Sequence, residues 1–238
     1  MAEKSSFALI IPCYNEEKAI PPFQRELLQF RDQFQAQFPE IELGVIFVNN
    51  NSTDQSASLL HKMVKESVGI QVINCPKQGY GAALKAGFSS VNATWYSFAD
   101  LDNTYPLQDI ITMFTLLRDQ NLDIVYANRL RLQTGMPFLR RLGNLFYSGL
   151  SQLFFQNSIH DMCSGLRVFT AQRLPQILKL KSEGLNFSIE FTAVCLKQKW
   201  PRSEFNIQYR ERIGPSKLSV IQDGFAFLFV LIRVRLIK

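Results

Sequence analysis

The 238-residue sequence lacks the marks of several common protein classes. Its four cysteines, Cys13, Cys75, Cys163 and Cys195, lie far apart with no CxxC pair, so neither a zinc site nor a disulfide framework is indicated. Reduced thiols, as in a cytosolic protein, are the expected state. The only two histidines, His61 and His160, are too distant in sequence to read as a metal pair. No apolar run reaches the about 18 residues of a membrane-crossing helix. The best candidate, Gly224 to Ile232 (GFAFLFVLI), would cover roughly 13 Å of a hydrocarbon core about 30 Å thick, enough to dip in but not to cross. The start, MAEKSSFALIIP, has too short an apolar run and too early an acid for a signal peptide, and reads as a first strand. Gly79-Tyr80-Gly81 lacks the third glycine and the acidic ribose partner of a dinucleotide loop, so these glycines instead open a helix or allow tight packing. Neither a fixed-period repeat nor a low-complexity linker appears, and a single domain over residues 1–238 is expected.

What is present is a division of charge. Residues 1–128 carry 9 Lys and Arg against 14 Asp and Glu, and residues 129–238 carry 17 against 6, so a net charge of +6 hides an acidic half and a strongly basic half. Such a split suits a cation at one end and anions, or an anionic surface, at the other. With 47% hydrophobic residues the chain has ample material for a core.

Apolar runs at Phe7 to Pro12, Ile41 to Val48, Ile70 to Ile73, Thr94 to Ala99 and Asp123 to Ala127 read as strands. Between them lie helical patterns: Glu16 to Phe38 with Ile20, Phe23, Leu27, Phe30 and Phe34, a segment carrying Leu59, Leu60, Met63 and Val64, then Tyr80 to Val91 and Leu107 to Leu117. Strands alternating with helices predict an α/β fold with a doubly wound, mostly parallel sheet. In such sheets ligands sit beyond the carboxyl ends of the strands. Polar clusters fall at four of those ends: Pro12 to Glu16, Asn49 to Asp54, Asp100-Leu101-Asp102, and Asn128-Arg129.

Asp100 and Asp102 are the strongest single feature. Two carboxylates spaced by one residue after a buried strand can turn toward one hard cation, and Mg²⁺ typically takes one or two protein carboxylates together with phosphate oxygens. Its work would be to neutralise a diphosphate leaving group. Leu142 to Ile159 contains no charged residue and carries Leu142, Leu145, Phe146, Leu150, Leu153 and Phe154 on a helical stripe after Arg140-Arg141, which suits either a membrane-surface helix or an ordinary core helix. Phe225 to Lys238, with Arg233, Arg235 and Lys238 at its end, leans toward a membrane interface.

The segments IPCYNEE, VNNNSTD, QGYGAALKAGF, ADLDNTYP, DMCSGLRVF and RIGPSKL, in this order over about residues 7–236, resemble the family 2 glycosyltransferases of GT-A (Rossmann-like) fold, and within them the dolichol-phosphate mannose and polyprenyl-phosphate sugar synthases. The resemblance implies inverting transfer of a sugar from a UDP- or GDP-linked donor to a polyprenyl phosphate, by an enzyme peripheral on the cytoplasmic face of the membrane. It implies a nucleotide-sugar and metal half, residues 1–128, and an acceptor and membrane-facing half, residues 129–238. Pro12, Tyr14 and Glu16 resemble residues that hold the nucleoside, and Asn49 or Asn50 stands where the family has an aspartate touching the base. Asp100 and Asp102 match the metal-binding DxD, with Mg²⁺ or Mn²⁺ as cofactor. Arg129, Arg167, Arg212, Ser216 and Lys217 match cationic and neighbouring positions around the donor diphosphate and acceptor phosphate, with Arg129, Arg167 and Ser164 assigned to the acceptor and Arg129 and Arg167 counted as catalytic beside the two aspartates. Thr104 replaces a glutamine of the mannose synthases. An asparagine amide can accept from an imide N–H and donate to the neighbouring carbonyl, which favours uracil. The partners implied are the nucleotide-sugar, the lipid acceptor and the membrane surface, with a homo-oligomer or a membrane-protein partner open and no nucleic acid.

Three other readings stay open on the residues. A same-fold transferase with a soluble or polysaccharide hydroxyl acceptor needs a general base, for which Asp161 and Glu190 are candidates. A sugar nucleotidyltransferase would want a glycine-rich basic loop after the first strand. A catalytically silent adaptor would have no need of the DxD and the cations downstream.

Overall fold

The computed structural model describes residues 5–65, 68–131, 136–156 and 159–236. Residues 157–158 and 237–238, which fall within two of the expected helices, lie outside them. The chain begins with β1 (Ser6–Cys13), α1 (Ile20–Gln37), β2 (Glu42–Asn49), α2 (Ser56–Lys65), β3 (Ile70–Asn74), α3 (Tyr80–Ser89), β4 (Trp95–Phe98), α4 (Asp109–Asp119) and β5 (Ile124–Asn128). Each of these nine elements overlaps a segment expected from periodicity. The second half adds α5 (Phe138–Phe155), β6 (Arg167–Thr170), α6 (Leu174–Leu178), α7 (Phe187–Lys197), β7 (Arg202–Asn206) and α8 (Val220–Leu236).

The seven strands form one sheet in the order β3-β2-β1-β4-β6-β5-β7. All neighbours are parallel except β6, which runs antiparallel to both β4 and β5. Two reversals restore direction, so β5 points the same way as β1, β2 and β4, and the four polar strand ends meet on one edge. The antiparallel β6 begins at that edge, which brings Gly165 and its neighbours beside Asp100.

Side chains alternate across the sheet. Phe7, Leu9 and Ile11 of β1 face one core with Phe23, Leu27, Phe30 and Phe34 of α1 and Ile110, Met113, Phe114 and Leu117 of α4. Ala8 and Ile10 face the opposite core with Leu84 and Phe88 of α3, Phe187 and Phe191 of α7, and Phe227 and Leu231 of α8. Helices therefore cover both faces, as a doubly wound sheet requires. Gly87 makes the α3 packing possible, because a Cβ there would stand 2.3 Å from an Ile10 methyl.

Candidate functional site

A cavity of about 910 Å³ opens at the strand ends, floored by Pro12, Asn50, Asp100 and Asp102. The 207–219 segment crosses it as a strap. Ile213 N donates to Asp102 O at 2.9 Å and Arg210 N to Thr104 O at 3.1 Å, while Arg210 pairs with Glu26 of α1 at 2.9 Å. The strap delivers two of the expected cations. Arg212 Nη1 reaches Asp102 Oδ2 at 2.6 Å and Nη2 reaches Glu16 Oε1 at 3.4 Å, and Lys217 Nζ pairs with the same Glu16 oxygen at 2.6 Å while lying over the Tyr14 ring. Arg212 Nε is buried without a hydrogen-bond partner.

Asp102 is almost fully buried, and its other oxygen accepts from Thr104 N at 3.0 Å and Thr104 Oγ1 at 2.5 Å. Thr104 thus steadies the DxD carboxylate. Asp100 accepts from the Tyr80 hydroxyl at 2.8 Å. Burial, and then the charge on Asp102, push the Asp100 carboxyl up to about 7 despite that hydrogen bond and the nearby Arg212 and Arg129. Two close carboxylates with one raised this far form a site short of positive charge, which a divalent cation would correct. Gly165 permits this crowding, since a Cβ there would lie 2.7 Å from Asp100 Oδ2. Among the described residues no group of three or more His, Cys, Asp and Glu converges as a metal cage, so these two aspartates would be the protein's carboxylate ligands, with phosphate oxygens or water completing the shell.

Arg129 lines the cavity beyond the aspartates. Its Nε and Nη2 grip Asp161 at 2.6 and 2.8 Å, and its guanidinium lies beside the Tyr105 and Tyr209 rings at 5.8 and 5.6 Å. Burial would raise the Asp161 carboxyl, but Arg129 and the surrounding donors overcome this and hold it below its ordinary value. Neither general-base candidate is free. Asp161 is committed to Arg129 and Asn144, and Glu190 accepts from Lys181 N and Ser182 N at 3.1 and 2.6 Å and pairs with Arg233 at 2.7 Å, away from the cavity.

Two expectations need correction. Arg167 and Ser164, assigned to the acceptor phosphate, are fully buried and absent from the cavity wall. Arg167 donates to Ser164 O at 3.1 Å and Ser188 O at 2.6 Å and lies against the Tyr126 and Phe191 rings at 4.8 and 4.7 Å, where burial lowers its affinity for the proton. It ties the turn before β6 to α7. The asparagine pairing with a base also loses its donor half. Asn50 spends both amide hydrogens on Cys75 O and Lys77 O at 3.1 and 2.7 Å and accepts from Gly79 N at 2.8 Å. Asn49 bonds Asn74 and Ser52 and does not line the cavity. Ser216 does line it.

The far wall is unlike the first. Leu139, Leu142 and Phe146 of α5 and Phe227 of α8 line it, with Arg140 among them. On their outer sides the two helices expose Phe138 (79%), Leu145, Leu153, Phe225 (73%), Phe229 and Leu236. The residues α5 buries are Asn144, Tyr147 and Ser151. The helix is apolar on its exposed side as well, while Asn144 and Ser151 turn to the protein beside Tyr147, Leu150 and Phe154. Arg140, Tyr80, Tyr105, Tyr209 and Asn144 were not assigned to the site from the sequence, although the polar spacing Asn144, Ser148 and Ser151 signals an inner face.

Among the described residues no helix is long and apolar enough to cross a membrane. The model of glycosyl transferase family 2 matches residues 8–177. A dolichyl-phosphate hexose transferase of Haloferax volcanii is 28% identical over 220 residues, covering 92% of this chain and 89% of its own. The human dolichyl-phosphate beta-glucosyltransferase is 26% identical over 243 residues, covering 95% of this chain and 75% of its own. Among solved structures, glucosyl-3-phosphoglycerate synthase of Mycobacterium tuberculosis, crystallised with Mn²⁺, uridine diphosphate and phosphoglyceric acid, superposes with a TM-score of 0.71 at 14% identity, over 98% of this chain and 80% of that one. At that identity the likeness speaks to the fold, which is GT-A.

Proposed function

The chain belongs to glycosyl transferase family 2, and on that premise we propose that it moves a hexose from a UDP- or GDP-linked donor to the phosphate of a polyprenyl or dolichyl lipid, inverting the anomeric carbon, while peripheral on the cytoplasmic face of a membrane. The observation that carries this reading is a single cavity with a charged wall and an apolar wall continuous with exposed helix faces. A lipid phosphate needs both: cations for its head, and an apolar path from that head to a bilayer. The names of the two relatives agree with this substrate class.

Asp100 and Asp102 would hold Mg²⁺ or Mn²⁺, whose contribution is to neutralise the departing diphosphate. Pro12, Tyr14, Glu16 and Asn50 would border the nucleoside, Asn50 as an acceptor only. Arg212 and Lys217 would meet the diphosphate, and Arg129 with Arg140 the acceptor phosphate. An acceptor phosphate is already anionic at neutral pH, so no base is needed to make the nucleophile; the remaining task is to hold two anions together. That both base candidates are engaged elsewhere favours a phosphate over a hydroxyl acceptor. Incubation of the purified protein with Mn²⁺, polyprenyl phosphate and radiolabelled UDP- and GDP-hexoses should place label in the lipid phase. Label only in sugars linked to soluble alcohols would establish the hydroxyl alternative.

A further inference from the structure

Asn144 sits at the middle of the inner face of α5, nearly fully buried, and its Nδ2 donates to Asp161 Oδ1. That oxygen also accepts from Arg129 Nη2 at 2.8 Å, while Oδ2 accepts from Arg129 Nε at 2.6 Å and Arg129 N at 3.1 Å. One helical turn further along α5, Ser148 Oγ donates to His160 O at 2.7 Å. The turn carrying Asp161 is thus pinned to α5 at two points, and to β7 by Glu204, which accepts from His160 N and Asp161 N at 2.9 and 3.2 Å. Asp161 holds the Nε and Nη2 edge of the guanidinium and leaves the Nη1 end for an anion in the cavity. The opposite face of the same helix presents Leu145 and Leu153 outward.

We propose that Asn144 and Asp161 are positioning residues through which the seating of α5 on a lipid surface sets the aim of Arg129 at the acceptor phosphate. This rests on the lipid-phosphate reading above and adds a coupling that the reading does not require. A rigid helix whose outer face meets lipid and whose inner face holds a carboxylate cannot shift without moving the cation that carboxylate grips. Simple charge neutralisation makes the opposite prediction for Asp161: removing its charge would leave Arg129 freer to attract a phosphate. Positioning predicts weaker use of the phosphate although net positive charge has risen.

The coupling is tested with a water-soluble, two-isoprene polyprenyl phosphate as acceptor, with and without vesicles of phosphatidylcholine and phosphatidylglycerol that contain no acceptor. In the wild type, vesicles should lower KM for the short acceptor and leave the donor KM unchanged. In Asn144→Ala, that response should disappear and the acceptor KM should rise roughly tenfold, the scale of one hydrogen bond to a charged group, with donor KM and vesicle flotation unchanged. Asp161→Asn should likewise raise the acceptor KM. If Asn144→Ala proves too unstable to assay, Ser148→Ala breaks the second tie and should blunt the vesicle response. An Asn144 variant that keeps the full response, an Asp161→Asn enzyme with a lower acceptor KM, or a wild type indifferent to vesicles would overturn the coupling. A protein that labels no lipid phosphate from either donor class would instead overturn the functional reading beneath it.

Discussion

Helices α1 and α5 are both 18 residues long and both carry an apolar stripe at helical spacing, yet they are mounted in opposite senses. In α1 the stripe Ile20, Phe23, Leu27, Phe30 and Phe34 is buried. In α5 Leu142, Leu145, Phe146 and Leu153 of the stripe are exposed, Leu150 and Phe154 are half-buried against the core, and the buried residues are Asn144, Tyr147 and Ser151. Periodicity reports that a helix has an apolar face; it does not report what that face meets. The α1 stripe is spent on the core beneath the sheet, whereas α5 borders the cavity with Leu139, Leu142 and Phe146 and leaves Leu145 and Leu153 exposed. On the proposed function, one side serves the chemistry and the other the location.

The sharpest way to separate the two sides is to remove the chemistry and keep the location. Asp102→Ala should reduce transfer by roughly a hundred- to a thousandfold or more, equally for lipid-borne and short water-soluble acceptors, while vesicle flotation stays as in the wild type. A variant that retains most of its transfer rate would sink the assignment of Asp102 to the metal.

The reverse experiment removes location and keeps chemistry. Leu145→Glu with Leu153→Glu should weaken vesicle binding by about a hundredfold or more, since burying each leucine is worth about 1.5–3 kcal/mol, and should leave the melting temperature almost unchanged because both side chains are already exposed. Phe34→Ala on α1, at a fully buried position within an aromatic cluster, should do the opposite: a loss of about 3–5 kcal/mol of stability, read by thermal melting, with unchanged flotation of the folded fraction. If the two leucine changes destabilise the fold as Phe34→Ala does, the outward face of α5 is covered by protein in solution.

A smaller effect belongs to the charged side alone. Without a metal, the Asp100 carboxyl holds its proton below about 7, because burial and Asp102 raise it. A cation must displace that proton, so Mn²⁺ affinity measured by calorimetry should fall by roughly tenfold per pH unit below that point, with proton release on binding. Affinity that stays level between pH 7 and pH 5 would place the metal away from Asp100.

The first half of the fold was legible because its strands are short apolar runs that end in polar clusters, and the sheet rule then gathers those ends. β6 and β7 were not legible. Arg167-Val-Phe-Thr has only two apolar residues, Val168 and Phe169, between polar ends, and Arg202-Ser-Glu-Phe-Asn is an edge strand with four polar residues, so neither shows a buried-strand pattern. The DxD was readable from position, whereas Tyr80, Tyr105 and Tyr209 reach the site through tertiary packing that no spacing announces. For Asn50 the sequence showed an amide able to read a base, but only the fold showed its hydrogens turned to Cys75 and Lys77.

Arg167 gives the finest division between the two sides, because its place in the DMCSGLRVF segment links it to phosphate binding and its place in the fold does not. Its guanidinium spans from Ser164 O to Ser188 O within a shell of aromatic rings, so it joins the turn behind Asp100 to α7. Arg167→Lys keeps the charge but cannot bridge both carbonyls with a planar fork or stack on Tyr126 and Phe191. The expected result is a loss of about 2–3 kcal/mol of stability, which for a chain of this length is a melting shift of about 4–12 °C. The KM values for donor and acceptor should change by less than about twofold at a temperature where the variant is folded, since a change that small corresponds to under about 0.5 kcal/mol of binding. A rise in acceptor KM of tenfold or more in folded protein would return Arg167 to the phosphate and show that the turn around Ser164 opens to admit it.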